Sequence, residues 1–414
     1  MVQGNNESKS LNDLIQISSR AQRTRSSAIR EILSVIDAPG MLSFAGGLPD
    51  ESLFPIDGFR KSYERAIEIL GPKLFQYSST QGCYSLRSWI HERYYSESDD
   101  SAPDQIIITS GSQQALDLLS KFFINEGDTI FVERPSYLGA LQVFSSYGGR
   151  ALSIRCDSEG PGIDDLKQAI LKFGRPKFFY GIPDNQNPTS RSYSTNRRKS
   201  ISELLEYYNI PIIEDTAYYE LDFLPEKNTS GERGKPSFAK LLPNHSFSIG
   251  TFSKTLSPGL RMGWLRAPKE WISRLISLKQ SMDLHSAVLN QEIVNQFLRS
   301  GEFETHLEKL KATYSYKASI TSDNLYKYFG EDIRFEAPTG GMFFWLEFPD
   351  KTDTSVLFDY ALKENVAFVP GCHFYSENPE HHFARWNLSH SGINDLEEGV
   401  GRLHRAWKSA RIGT

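Results

Sequence analysis

The sequence predicts an α/β protein that has a large domain, with a mostly parallel seven-stranded sheet between helices, and a smaller α+β domain. Short apolar runs alternate with helical periods between about residues 100 and 285, and this alternation favours a parallel sheet with helices on both faces. The runs are continuously apolar, which is typical of strands buried on both faces. Beyond about residue 285, a long charged helical stretch and further strands indicate the second domain.

Each of the seven predicted strands is a short apolar run. These runs are residues 105–109, 129–133, 151–155, 177–181, 211–214, 246–250 and 262–266. Helical periods lie between many of them, at residues 113–124, 138–147, 164–173 and 195–208. The smaller domain is expected to contain a helix over 290–329, a strand over 340–346, and a strand and turn over 366–371.

The change of pattern along the chain predicts three parts. Residues 1–60 form an N-terminal segment, in which residues 26–33 have a helical apolar spacing after a serine cap. This segment is expected to supply a loop at the functional site and part of the small domain. Residues 61–285 form the large domain and residues 286–414 the small C-terminal domain.

Composition and charge are those of an ordinary soluble protein. Apolar residues make up 39% and charged residues 23% of the 414 residues, and the net charge is −5. A mildly acidic chain gives no electrostatic footprint for nucleic acid or for an anionic membrane. The polar N-terminus and the absence of a long apolar run predict neither a signal peptide nor a membrane span. We therefore expect a cytoplasmic protein.

The cysteines point to a reducing compartment. Cys83, Cys156 and Cys372 are far apart and form no Cys-x-x-Cys pair. Neither a disulfide framework nor a zinc site is expected from this spacing. No metal is predicted.

Two glycine-containing segments are candidates for binding. The strand at 105–109 runs through Ser110-Gly111-Ser112-Gln113 into a helix, and the unpaired N–H groups of a helix N-terminus suit a phosphate. The alternative is a plain N-cap by Ser110 or Ser112. Gly46-Gly47 lies between apolar residues and would let another group approach the backbone closely, although an ordinary turn explains it as well.

Three further segments follow predicted strands and carry reactive or polar side chains. Lys254 lies among apolar and small residues, where burial would lower the pKa of its amine and free it as a nucleophile toward an aldehyde. Asp215, with Tyr218 three residues later, is placed to hold a cationic ring nitrogen and a phenolic oxygen. Asn187-Pro188 also ends a strand. The alternatives are an exposed loop lysine, an aspartate that caps a turn, and an ordinary Asn-Pro turn.

Taken together, these segments resemble the class I/II aminotransferases of pyridoxal-phosphate fold type I. The most similar subgroup contains the aminoadipate and kynurenine aminotransferases and the MocR-type regulators. The family pattern has a Ser-Lys-x-x-x-Pro-Gly-x-Arg-x-Gly segment, an Asn-Pro-Thr-Gly turn, an Asp-x-x-Tyr pair and a distal arginine. Counterparts of these motifs occur here in the family's order, and the resemblance extends from about residue 28 to about residue 391.

The resemblance implies a cofactor site for pyridoxal 5′-phosphate. Lys254 would form the internal aldimine, and Asp215 would pair with the pyridine nitrogen. Asn187 and Tyr218 would hydrogen-bond the phenolic oxygen, and Tyr137 would stack on the ring. The phosphate would be held by Ser112, Gln113, Ser253 and Arg261 and, from the neighbouring subunit of a homodimer, by Tyr77.

The resemblance also implies a substrate site and a reaction. Arg385 would bind the α-carboxylate of an amino acid, beside Asn187, and Gly46 and Gly47 would line the pocket. Arg30 matches a position at which aminoadipate-type relatives read a distal carboxylate, although a solvated helix residue is an equal interpretation. The implied reaction moves the amino group of an L-amino acid to a 2-oxo acid.

The sequence departs from the family pattern near the pocket and its turns. Asn185 replaces an aromatic residue, Ser190 replaces a glycine, and Thr216-Ala217 replaces Asp-Pro. After Tyr77, Ser-Ser-Thr replaces a small residue and a proline. These departures leave open a specialised reaction on the same cofactor, such as elimination, cyclisation or oxidation. A regulator without enzymatic activity is disfavoured because fewer than 30 residues precede the resemblance, too few for a DNA-binding domain.

Overall fold

The computed structural model describes residues 16–24, 39–96, 102–223 and 235–412. Its strands are β1 (Leu42–Ser43), β2 (Ile106–Thr109), β3 (Thr129–Arg134), β4 (Arg150–Asp157), β5 (Gly160–Pro161), β6 (Phe179–Gly181), β7 (Ile212–Asp215), β8 (Ser246–Thr251), β9 (Gly263–Arg266), β10 (Phe343–Glu347), β11 (Val366–Ala367), β12 (Val369–Pro370) and β13 (Phe383–Asn387). The predicted helical spacing at 26–33 falls outside the described residues.

The helices alternate with these strands through the first two thirds of the chain. They are α1 (Ser19–Arg23), α2 (Ile56–Leu70), α3 (Tyr84–Tyr94), α4 (Ser112–Phe123), α5 (Leu138–Ser146), α6 (Ile163–Phe173), α7 (Thr195–Tyr207), α8 (Phe238–Leu241), α9 (Lys269–Asp283), α10 (Val288–Arg299), α11 (Glu302–Phe329), α12 (Thr354–Lys363) and α13 (Ile393–Ile412).

The large sheet has the order β2-β9-β8-β7-β6-β3-β4-β5. The five strands from β8 to β4 are parallel to their neighbours within that group, whereas β9 is antiparallel to both β2 and β8. All seven predicted strands are present, and the expectation of a mostly parallel sheet is confirmed. The sheet has an eighth strand because the two-residue β5 folds back on the end of β4, a pairing too short to leave an apolar run in the sequence.

The sheet is covered on both faces. Phe179 and Ile212 belong to a core with residues of α6 and α7, whereas Tyr180 and Ile213 belong to the larger core that includes α4 and α5. Successive residues of one strand therefore point to opposite cores, as the two-residue period of a strand requires. This arrangement explains why consecutive residues of the central strands, such as Ile212 and Ile213, are both apolar.

The described residues form two smaller sheets besides the large one. The strands β10, β13 and β12 form an antiparallel sheet in that order, and β1 pairs in parallel with β11. The segment after β1 thus lies beside β13, where Phe44 stacks on Trp386 with ring centroids 3.9 Å apart. The helix predicted over 290–329 is two helices, α10 and α11. Gly301 between them adopts φ +83°, which interrupts the helix.

Candidate active site

The polar residues singled out from the sequence meet where the central strands end. Asp215 is the last residue of β7, and Lys254 follows the end of β8. Asn187 lies in the loop after β6, and Tyr218 lies in the turn after β7. Because β6, β7 and β8 are parallel neighbours, their carboxyl ends share one edge of the sheet, where α/β proteins bind ligands.

Lys254 is partly buried and its amine reaches the N-terminal segment. Its Nζ donates a hydrogen bond to the carbonyl oxygen of Gly47 at 2.8 Å. Removal from water lowers the pKa of Lys254 to about 8, and the nearby guanidinium groups of Arg385 and Arg261 act in the same direction. The interpretation of Lys254 as an exposed loop lysine is therefore wrong.

Asp215 is a buried carboxylate with two protein donors. Its Oδ2 accepts the hydroxyl of Tyr180 at 2.9 Å, and its Oδ1 accepts the backbone N–H of Ala217 at 3.2 Å. Burial raises the pKa of Asp215 to about 6, against the effects of these donors and of Lys254. The group therefore still carries a negative charge at neutral pH.

Asn187 links Tyr218 to Arg385. Its Nδ2 donates to the Tyr218 hydroxyl at 3.2 Å, and its Oδ1 accepts from Nη1 of Arg385 at 2.9 Å. The other terminal nitrogen, Nη2, donates to the carbonyl oxygen of Ala45 at 2.6 Å. Two segments that lie far from Arg385 in the sequence thus converge on its guanidinium.

Arg385 is only 1% exposed and is held without a carboxylate partner among the described residues. Its guanidinium lies 4.4 Å from the centre of the Phe343 ring, and its Nε is buried with no hydrogen-bond acceptor. Burial lowers the pKa of Arg385 to about 10. A buried cation whose contacts are neutral, and which has an unused donor, suits a bound anion.

A second group of donors surrounds the start of α4. Ser112 and Gln113 are the first two residues of this helix, and Gly111 before them adopts φ +79°. Arg261, itself left-handed at φ +48°, donates through Nη2 to the carbonyl oxygen of Ser110 at 3.1 Å. A Cβ at Gly111 would lie 2.6 Å from that nitrogen, so glycine makes room for the guanidinium at the helix N-terminus.

Ser253 completes this group from the lysine segment. Its Oγ accepts the hydroxyl of Thr251 at 2.9 Å, and its backbone N–H donates to the same hydroxyl oxygen at 3.1 Å. The turn that carries Lys254 is therefore fixed locally by its own side chains. A helix N-terminus, an arginine and a serine hydroxyl together match the chemistry of a phosphate.

The other predicted residues have different surroundings. Tyr137 immediately precedes α5, and its ring leaves no space for a side chain at Gly139. Gly46 is buried, and a Cβ at Gly47 would lie 3.5 Å from Phe343 and 4.0 Å from Nζ of Lys254. Tyr77 is 78% exposed. Arg30 lies outside the described residues, so its assignment stays a prediction.

Two departures from the family pattern have a structural explanation. Asn185 and Ser190 adopt φ values of +48° and +56°, in a region that glycine enters without steric cost. In Ser190, the steric cost of this backbone conformation is offset by a hydrogen bond, which Oγ donates to the carbonyl oxygen of Phe343 at 2.8 Å. Asn185 donates to the carbonyl oxygen of Tyr218 at 3.2 Å and to Asp222 at 2.8 Å. Both residues therefore hydrogen-bond to segments that adjoin the site, at Phe343 and at Tyr218.

Sequence reasoning missed the buried residues that hold the site in place. Tyr180 contacts Asp215, and Glu133 at the end of β3 accepts the hydroxyl of Tyr193 at 2.6 Å and the N–H of Ile182 at 3.0 Å. Burial raises the pKa of Glu133 to about 8. Gln186, beside Asn187, donates to the carbonyl oxygen of Pro135 at 2.8 Å. Among these residues, only Glu133 could have been singled out from the sequence, because it is a glutamate at the end of the predicted apolar strand 129–133.

Comparison with known proteins identifies the class to which this site belongs. Residues 51–403 match the family model "Aminotransferase class I and II". A 2-aminoadipate transaminase of Thermus thermophilus is 38% identical over 94% of this chain and 95% of its own length. A kynurenine aminotransferase of Pyrococcus horikoshii, solved with PMP and kynurenine, has a TM-score of 0.88 at 32% identity and covers 95% of this chain and 97% of its own.

A third similar structure carries a cofactor derivative. It is the α-aminoadipate aminotransferase LysN of Thermus thermophilus complexed with N-(5'-phosphopyridoxyl)-L-leucine, with a TM-score of 0.87 and 36% identity over 96% of this chain and 98% of its own. Fold and site thus define a pyridoxal-phosphate enzyme of fold type I. The chain belongs to the class I and II aminotransferase family, and it is a pyridoxal-phosphate-dependent transaminase.

Proposed function

We propose that this transaminase takes the amino group from an L-amino acid whose α-carboxylate binds Arg385, and that Lys254 holds the cofactor and transfers the proton. The observation that carries the proposal is the convergence, at one edge of the sheet, of a lysine whose pKa is lowered to about 8, a buried aspartate, and a buried arginine with no carboxylate partner among the described residues. Each of the three has a distinct task in amino-group transfer.

The residues present fit pyridoxal 5′-phosphate group by group. Asp215 would hold the ring nitrogen, Asn187 and Tyr218 the phenolic oxygen, and Tyr137 the ring face. The phosphate would accept hydrogen bonds from donors at the α4 N-terminus, where Gly111 has no side chain and so leaves space for Arg261. Those donors are Ser112, Gln113, Ser253 and Arg261. When bound, the cofactor supplies an electron sink for the charge left on the substrate's Cα.

Lys254 moves the proton. Its amine is the side chain placed to take the proton from the substrate's Cα and to return it at C4′ of the cofactor. A pKa near 8 suits this exchange because a general base and acid works best when its pKa lies close to the working pH. The carbonyl oxygen of Gly47, 2.8 Å from Nζ, gives the free amine a fixed position.

Arg385 orients the substrate. A guanidinium presents a planar fork that matches a carboxylate with two parallel hydrogen bonds. In this protein Nη1 and Nη2 are already directed by Asn187 and Ala45, and Nε has no acceptor. An α-carboxylate would supply the missing charge. The 2-oxo acid that accepts the amino group carries the same carboxylate and would use the same contact.

The pH dependence of Lys254 gives a direct prediction. Because only the neutral amine is a nucleophile, capture of pyridoxal phosphate by the cofactor-free protein should accelerate about tenfold for each pH unit up to about 8, and then level off. Stopped-flow absorbance measures this rate. A rate that keeps rising to about pH 10, where an ordinary lysine titrates, would contradict the lowered pKa of Lys254.

We infer a homodimer with shared active sites. Tyr77 is 78% exposed here, as expected if it serves the phosphate of the neighbouring subunit. Large apolar side chains near it in the sequence are also exposed, on α2 and on the segment up to the start of α3. They are Ile56, Tyr63, Ile67, Ile69, Phe75 and Tyr84. A concentration of exposed apolar side chains is typical of a surface that another protein covers.

Mixed dimers test this arrangement. Tyr77→Ala should weaken cofactor binding roughly 10- to 150-fold, the effect of losing one hydrogen bond to a charged group. In a dimer of one Tyr77→Ala chain and one Lys254→Ala chain, one site regains both residues. At a cofactor concentration that leaves the Tyr77→Ala homodimer empty, random mixing should therefore restore about a quarter of wild-type activity. No recovery in dimers shown to be mixed, or full activity of a monomer, would contradict shared sites.

Location and other partners are inferred from the composition. We infer a cytoplasmic protein that binds no nucleic acid and no membrane, from its net charge of −5 and its three scattered cysteines. None of the helices described is long and apolar enough to cross a membrane. The division into domains at residues 60 and 285, and the binding of a distal substrate carboxylate by Arg30, also stay predictions.

A further inference from the structure

Tyr180 is a buried residue that contacts the aspartate of the cofactor site. It lies on β6, opposite Ile213 of β7, so Asp215 lies two residues further along the same face. This register brings the Tyr180 hydroxyl to 2.9 Å from Oδ2 of Asp215. The other oxygen, Oδ1, accepts the N–H of Ala217. An ionised carboxylate has about four acceptor positions, so it retains capacity for a further donor.

We propose that Tyr180 is a positioning residue, which holds Asp215 ionised and aimed at the ring nitrogen of the cofactor. The inference rests on the proposed role of Asp215. It goes beyond that role by assigning to Tyr180, through its hydrogen bond to Asp215, control of the charge that faces the ring nitrogen.

The need for such a residue follows from the burial of Asp215. Withdrawal from water raises the pKa of this carboxyl to about 6, and the Tyr180 hydroxyl opposes that rise because it stabilises the charged form. Without the hydroxyl, Asp215 would bind a proton at higher pH. A protonated carboxyl no longer attracts a protonated ring nitrogen, so cofactor affinity would be lost at a higher pH than in the wild type.

Other titratable groups also face Asp215, and their effect on the pH dependence of cofactor affinity must be separated from that of Tyr180. They are Glu133, Tyr137, Tyr218 and Lys254. Their titration is shared by the wild type and by a Tyr180 variant, so the ratio of the two affinities removes it. The chain also offers a matched control in Tyr193, a second buried tyrosine whose hydroxyl donates to the buried carboxyl of Glu133 at 2.6 Å.

The test compares cofactor-site affinity in the full chain freed of cofactor. The probe is 4′-deoxypyridoxine 5′-phosphate, which keeps the ring nitrogen and phosphate but lacks the aldehyde that reacts with Lys254. Tryptophan fluorescence gives its Kd between pH 5 and pH 9. For Tyr180→Phe, the ratio of its Kd to that of the wild type should rise by about tenfold from pH 9 to pH 5, as expected for a shift of one unit in the pKa of Asp215.

The outcomes separate this inference from the proposed site. For Tyr193→Phe, the ratio of its Kd to that of the wild type should not rise toward low pH. A rise equal to that of Tyr180→Phe would overturn the inference. A Tyr180→Phe ratio that is independent of pH, with normal probe binding by the wild type, would mean that Tyr180 only fills the core and would overturn this inference alone. Failure of the wild type to bind the probe would overturn the cofactor site itself and the inference with it.

A second variant keeps the packing of Tyr180 intact. Incorporation of 3-fluorotyrosine at position 180 leaves the ring and hydroxyl in place and makes the hydroxyl a stronger donor. The loss of probe affinity should then move to lower pH than in the wild type, opposite to the Tyr180→Phe shift. An unchanged profile in this folded protein would overturn the inference even if Tyr180→Phe proved too unstable to measure.

Discussion

Lys254→Ala should reduce turnover by at least about 10⁴-fold, because it removes both the covalent attachment of the cofactor and the group that moves the Cα proton. The protein should still bind the cofactor through its phosphate and ring contacts, so loss of activity and loss of binding are separable. Rapid-quench measurement of a single half-reaction with an amino acid gives the rate, and absorbance gives the bound cofactor.

Two controls accompany Lys254→Ala. Lys327→Ala, at an exposed lysine paired with Glu397, should keep wild-type turnover. A small primary amine added to Lys254→Ala should restore part of the proton transfer, since the deleted side chain leaves space beside Gly47. Turnover of Lys254→Ala above about a hundredth of the wild-type rate would show that another group performs the general base step assigned to Lys254.

Arg385→Lys should lower kcat/KM for amino acids by roughly 10- to 150-fold, the effect of losing one good charged contact. A lysine is a point charge and does not reproduce the paired hydrogen bonds of the guanidinium. Simple amines lack the α-carboxylate and should be nearly indifferent to the change. The comparison of the two substrate classes, with the same enzyme and cofactor, isolates carboxylate binding.

Arg266→Lys is the matched control for Arg385→Lys. Arg266 is likewise buried, and its guanidinium donates to the carbonyl oxygens of Pro243 and Ser246, away from the site. Any loss caused by Arg266→Lys should be equal for amines and amino acids. If Arg385→Lys also slows both classes equally, Arg385 has a structural role and the substrate-binding assignment fails.

The strands of the large sheet could be predicted because burial on both faces makes most of them rich in apolar residues, as in β2 with its three consecutive isoleucines. The pairing of β1 with β11 could not be predicted. The strand β1 has only two residues, Leu42 and Ser43, and its partner lies more than 300 residues later in the chain. The break at Gly301 was also missed. A single glycine within a helical pattern is tolerated often enough that it does not by itself predict an end.

The reacting residues could be predicted because they lie in ordered motifs, whereas their supporting residues could not. Lys254, Asp215 and Asn187 each lie at or just after the end of a strand, within a recognisable motif. Tyr180 has the appearance of any aromatic residue in a buried strand, and its contact with Asp215 depends on the register between β6 and β7. The burial of Arg385 likewise depends on Phe343 and Ala45, which the sequence places far from it.

The central claim is that Lys254 is the residue that holds pyridoxal phosphate. Borohydride reduction of the purified enzyme fixes the cofactor to whichever amine carries it, and peptide mapping by mass spectrometry locates the label. The account predicts a single labelled peptide that contains Ser253-Lys254, with one cofactor per chain. A label on any other lysine, with Lys254 unmodified, would contradict the assignment and the mechanism built on it.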